Sequence, residues 1–87
     1  MFYRERIRQM KLIDVGFGNT INSDRLIAVI GADAAPTKRI IVAAKEKNLA
    51  IDTTCGRKTK SVLIMDSGHI ILSAKDAEKI SGKIQEE

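Results

Sequence analysis

The chain has 87 residues, enough for one small domain, which would bury only about 60–65% of its unfolded surface. Hydrophobic residues make up 44% but aromatics only 3%, so Ile, Val, Leu and Ala must build the core, and no aromatic sheet of the kind that stacks single-stranded bases is visible. A single cysteine excludes an internal disulfide and any CxxC zinc knuckle; the net charge is +4, and its uneven distribution along the chain favours a polyanion partner.

Residues 1–9 are dense in charge and show no period of two, so they read as an N-terminal extension upstream of a single domain over residues 10–87. Met10 is a candidate native start. Leu12, Ile13 and Val15 lead into Gly16-Phe17-Gly18-Asn19, a turn signal between two strands. This is not a nucleotide-binding GxGxxG, because Ile21 stands where the third glycine belongs and no helix signal follows. Asn22-Ser23-Asp24 punctuates the chain again, and Arg25–Ile30 reads as a strand apolar on both faces, ended by Gly31.

Asp33-Ala34-Ala35-Pro36 reads as a helix entry, with Asp33 as cap and Pro36 in the first turn. The helix is predicted to end near Asn48, with Ile40, Ile41 and Ala44 on its buried face and Lys38 and Arg39 elsewhere on the wheel. Ile51-Asp52-Thr53 is a short extended piece. Ser61–Met65 and Ile70–Leu72 read as strands apolar on both faces, joined by the hairpin turn Asp66-Ser67-Gly68-His69. Ser73-Ala74-Lys75-Asp76 has the form of a capping box opening a last helix with Ala77, Ile80 and Ile84 on one face.

The resulting fold class is α+β: a small antiparallel sheet with two helices in the order strand, strand, helix, strand, strand, helix. Two helices laid on one face would leave the other face of these strands uncovered, and a second copy of the chain is the simplest cover, so a homo-oligomer is expected. No run approaches the ~18 apolar residues of a membrane span. A soluble cytoplasmic protein without membrane contact is the expectation.

Chemistry concentrates in Thr54-Cys55-Gly56-Arg57-Lys58-Thr59-Lys60-Ser61. Residues 25–60 hold eight cations and three anions, whereas residues 61–87 hold three cations and five anions, so the middle of the chain is its basic face. Gly56 lets backbone approach a phosphate, Arg57 offers a planar fork, and Lys58 and Lys60 act as point charges. Thr54, Thr59 and Ser61 add hydroxyls of the kind that bond a DNA backbone. The same residues also fit a solvated hairpin, and composition does not choose between the two.

Catalysis has little support. Cys55 would need His69, the one histidine, as its base, and no carboxylates are paired for acid–base work. No catalytic residue, metal site, cofactor or small-molecule substrate is expected.

From Met10 onward the chain resembles the RemA family of bacterial regulators of extracellular-matrix genes. The resemblance rests on Ile13-Asp14-Val15-Gly16-Phe17-Gly18-Asn19, Asp24-Arg25, Ala35-Pro36-Thr37-Lys38-Arg39, Ile51-Asp52-Thr53-Thr54, Gly56-Arg57-Lys58-Thr59-Lys60 and Met65–Ala74 taken together. It implies a LytTR-like protomer in a ring-shaped homo-oligomer, an octamer, that binds double-stranded DNA, is nucleoid-associated and controls extracellular-matrix or biofilm genes. The family's paired basic residues match Arg57 and Lys58, and its second-strand basic residue matches Arg25. The expected DNA-binding set is therefore Arg57, Lys58, Lys60, Arg25, Thr59, Gly56, Lys38 and Arg39. This chain has lysine at 58 and 60 where the family often has arginine, which keeps charge but not the bidentate fork. The alternative is an RNA- or protein-binding interaction module using the same basic loop.

Overall fold

A computed structural model describes residues 11–85, so the expected extension over residues 1–9 lies outside the described residues. The chain opens with strands β1 (Leu12–Gly16) and β2 (Asn19–Asn22), an antiparallel hairpin in which Gly16 pairs with Asn19. Its two central residues, Phe17 at φ 54° and Gly18 at φ 80°, both lie at positive φ. That is the mark of a type I′ turn, whose twist matches the flanking strands. A short 3-10 turn, Ser23–Arg25, leads into β3 (Leu26–Gly31), followed by α1 (Thr37–Glu46), β4 (Ala50–Asp52), β5 (Ser61–Met65), β6 (Ile70–Ser73) and α2 (Ala77–Gln85).

The main sheet has the order β3-β5-β6-β4. It is mixed rather than antiparallel, because β4 runs parallel to β6, with Ala50 beside Ile70 and Asp52 beside Leu72. The short piece at 51–53 is thus a true edge strand, and β2 is a further strand beyond those expected.

The helices lie on opposite faces of this sheet, not together on one. Along β5 and β6 alternate side chains point to opposite sides. Leu63 and Ile71 meet Ile13, Val15, Ile21 and Ile80, so the β1–β2 hairpin and α2 cover one face. Val62, Ile70 and Leu72 meet Ala44, with Ile40, Ile41 and Leu49 packed around them, so α1 covers the other. Both faces of the sheet are thus covered within one chain, and no open face in the described residues calls for a second copy. Among the described residues, apolar side chains that stay exposed include Ile27 of β3 (65%) and Ile51 of β4 (45%) on the two edge strands, with Leu12 and Phe17 in the β1–β2 hairpin and Val42 on α1.

Both helix entries differ from expectation. Pro36 itself occupies the cap position of α1, in helical conformation and with no side-chain cap, while the Thr37 hydroxyl donates to the Gly31 carbonyl at 2.9 Å. The Ser73 hydroxyl is buried and committed elsewhere, so α2 starts after Asp76, whose carbonyl accepts from Lys79 and Ile80 N–H. The end of α1 is as expected. Asn48 takes φ 59°, and Asn48 N–H and Leu49 N–H reach back to the Lys45 and Ala44 carbonyls, a Schellman closure.

Candidate nucleic-acid interface

One end of the sheet gathers the C-terminal ends of β3, β4 and β6 and the start of β5, since Gly31 pairs with Ser61 and Ser61 with Ser73. The basic turn, residues 54–60, crosses this end between β4 and β5. Its backbone is held at both feet. At the entry, the buried Thr53 hydroxyl donates to the Leu72 carbonyl at 2.7 Å. Asp52 Oδ1 accepts from both the N–H (2.8 Å) and the hydroxyl (2.6 Å) of Thr54. Those two Thr54 bonds, the hydroxyl first, hold the Asp52 carboxyl below its ordinary pKa. At the exit, Lys60 N–H donates to the Ser73 carbonyl, the Lys60 carbonyl accepts from Ala32 N–H, and the buried Ser61 hydroxyl donates to the Lys75 carbonyl.

Between these feet the chain turns through Cys55 and Gly56, both at positive φ, and Arg57 N–H closes the turn on the Thr54 carbonyl. Gly56 is needed for that backbone conformation rather than for packing, since a Cβ there would meet open space. Arg57, Lys58 and Lys60 are left exposed on the ridge. On one side they line, with Gly16, Phe17, Ala74 and Lys75, a depression of about 430 Å³. On the other, Lys58, Thr59 and Lys60 border a smaller hollow of about 220 Å³ that includes Asp33 and Asp76.

The β1–β2 turn is brought to this site by a buried bond from the Ser73 hydroxyl to the Val15 carbonyl, 2.7 Å across 58 residues of sequence. It carries the Phe17 ring to the rim, where the Arg57 guanidinium stands 5.7 Å from the ring centroid, within cation–π range. Lys75 reaches across to Asp14, its Nζ 3.3 Å from Oδ2. The Asp14 carboxyl is held below its usual pKa by the Gly16 N–H first and by Lys75 second.

The expected site residues are thus placed in two groups. Arg57, Lys58, Thr59, Lys60 and Gly56 lie together. Lys38 and Arg39, in the first turn of α1, are at the same end of the sheet through the Thr37–Gly31 bond. Arg25 is at the opposite end, beyond the Leu26–Met65 pairing, where it makes an exposed ion pair of 3.3 Å with Asp66. Five residues of strand separate it from the basic turn, roughly 15 Å.

Thr54 and Ser61 turn out not to present hydroxyls outward; both are buried and bonded within the protein. Phe17 and Lys75 are the site residues the sequence reading did not include. A bulky aromatic at a turn position that ordinarily takes Asn, Asp or Gly was the available signal for Phe17. Lys75 was hidden within the apparent capping box. Cys55 lies at the basic end and His69 in the β5–β6 turn at the other, bonded to Ser67 Oγ through Nδ1 at 2.7 Å, so the two are not assembled as a nucleophile and base within one chain. Among the described residues no group of three or more His, Cys, Asp or Glu is placed to hold a metal, and no helix is long and apolar enough to cross a membrane.

Residues 12–84 match a family model described as RemA-like, extracellular matrix regulatory protein A-like. Among curated proteins, the chain is similar to one from Dictyoglomus turgidum, 53% identical over 76 residues, covering 87% of this chain and 89% of the relative. It is similar to one from Synechococcus elongatus at 52% over 73 residues, 84% of each. A third, from Brevibacillus brevis, is 44% identical over 75 residues, 86% of this chain and 87% of the relative. Each of the three bears the name "Putative regulatory protein".

Proposed function

The chain belongs to the RemA-like family, and from that premise we propose that this regulatory protein acts on transcription by binding duplex DNA through the basic end of its sheet. The observation that carries the reading is the clustering of Arg57, Lys58, Lys60 and Lys75 around one open depression, on a backbone tied down at both feet. A preorganised backbone of this kind presents its cations to phosphates without a large loop-ordering cost. Arg57 supplies the bidentate fork, and the lysines supply point charge. Four cations make a weak site. Repetition in a ring-shaped homo-oligomer of LytTR-like protomers, an octamer by the resemblance, raises affinity through avidity at fixed spacing. The genes controlled are those of the extracellular matrix or biofilm, in keeping with the family's description.

Arg25 lies roughly 15 Å from the turn in one protomer. In a ring it would belong to a different stretch of DNA backbone or to the neighbouring subunit's site. Lys38 and Arg39 extend the basic end toward α1.

The test is light scattering after size-exclusion chromatography, alone and with a long duplex, at rising salt. The expected result is a multi-protomer particle that binds the duplex and releases it with a log–log slope of about −0.9 for each phosphate neutralised. Arg57→Ala is expected to abolish binding at moderate salt, leaving only weak binding at low salt, with oligomer mass unchanged. Equal or tighter binding to an RNA duplex or to an acidic polypeptide of matched charge would transfer the basic end to the interaction-module reading.

A further inference from the structure

Phe17 stands apart from the rest of the basic end. It is 52% exposed, one of few large apolar side chains so placed among the described residues, and it lies at the rim of a depression otherwise edged by cations. Its backbone is at φ 54°, in the first central position of a type I′ turn, where a bulky side chain is strained and Asn, Asp or Gly is the relaxed choice. The turn is also rigid. Asp14 Oδ1 accepts from Gly16 N–H at 2.8 Å, Asn19 Nδ2 donates to the Gly16 carbonyl at 3.0 Å, and Ser73 anchors Val15 from below. A bulky aromatic held at positive φ is backbone strain of the kind that collects at functional contacts, and here it sits at the rim of the cationic depression.

We propose that Phe17 is the apolar contact of this site: its ring touches the nucleobases of duplex DNA, while Arg57, Lys58, Lys60 and Lys75 hold phosphates. This rests on the DNA-binding reading above. Phosphate contacts position a protein on the duplex, whereas apolar side chains pressed against base steps respond to sequence and deformability. The Arg57 guanidinium, 5.7 Å from the ring centroid, places the phosphate-binding fork beside the base-contacting surface.

Salt dependence separates the two roles, because an uncharged contact releases no counterions. The experiment measures affinity for one duplex across a salt series with wild type, Phe17→Asn, Phe17→Leu and Arg57→Ala. Phe17→Asn relaxes the turn, so its unfolding midpoint is expected to equal or exceed that of wild type. Its affinity is expected to fall on the order of tenfold at every salt concentration, the scale of a lost base contact, with the slope unchanged. Phe17→Leu, which keeps an apolar wedge, is expected to recover most of that loss. Arg57→Ala is expected to reduce the slope itself.

An unchanged affinity in Phe17→Asn overturns the proposal. A slope reduced to that of Arg57→Ala overturns it too, since Phe17 would then act only by placing Arg57. So does a change in oligomer mass, which would put the ring in a subunit interface. Failure of wild type to bind duplex DNA at any salt refutes instead the reading on which the proposal rests, and the proposal falls with it.

Discussion

Ser73→Ala is the substitution whose cost follows most directly from the structure. The Ser73 side chain is fully buried at the end of β6. Its hydroxyl donates to the Val15 carbonyl at 2.7 Å and accepts from Lys75 N–H at 3.1 Å. Alanine is nearly the same size, so no cavity opens and the effect is confined to hydrogen bonding. Val15 is itself fully buried, so its carbonyl loses a partner where water is scarce, which costs about 1–3 kcal/mol. Lys75 is half-buried, and the loss of its N–H partner adds about 1 kcal/mol. The sum is about 2–4 kcal/mol, a large share of the ~5–15 kcal/mol typical of a domain. For a chain of this size that lowers the thermal midpoint by roughly 8–32 °C. Circular dichroism melts at one fixed protein concentration are the assay, with Ser67→Ala as control, because the Ser67 hydroxyl meets only His69 in an exposed turn. A Ser73→Ala midpoint within about 2 °C of wild type would refute the claim that this bond ties the β1–β2 turn to the sheet.

Acid stability follows from the two carboxylates with lowered pKa values. Asp52 and Asp14 sit below their ordinary 3.8 through bonds made only in the fold, so their contribution is complete above about pH 4 and is lost as pH falls through the folded values. Urea midpoints are expected to be flat from pH 7 to 5 and to drop below 4, with a shallower drop in a double Asp14→Asn, Asp52→Asn variant; an undiminished drop in that variant would assign the acid sensitivity elsewhere. Asn48→Ala places a β-carbon in the left-handed position closing α1 and is expected to cost about 1 kcal/mol, whereas Asn48→Gly stays within a few tenths; equal costs by denaturant unfolding would refute the cap. Lys75→Gln removes an exposed ion pair with Asp14 and is expected to change stability by less than about 1 kcal/mol. Its duplex-binding slope against salt is expected to shrink by about 0.9, and an unchanged slope would remove Lys75 from the site.

Local physics was legible in the residue order. Short continuous apolar runs in Ser61–Met65 and Ile70–Leu72 marked both central strands, Asn48 marked the end of α1, and Gly56-Arg57-Lys58-Thr59-Lys60 marked the basic turn. These depend on neighbours within a few positions, where period, turn chemistry and charge act directly. What lay out of reach depended on partners far along the chain. Apolar residues on both faces of a strand require two covers but do not say which elements provide them, and only the fold places α1 on one face and α2 on the other. Ser73 and Thr54 looked like a cap and a phosphate donor; only the fold shows their hydroxyls turned inward to Val15 and Asp52. The sequence by itself determined both helices, four of the six strands and a cationic turn. The tertiary structure decided which side chains surround that turn: it carried Phe17 and Lys75 to it from distant segments and left Arg25 at the far end of the sheet, because strand pairing, not distance along the chain, sets what meets at a sheet's end.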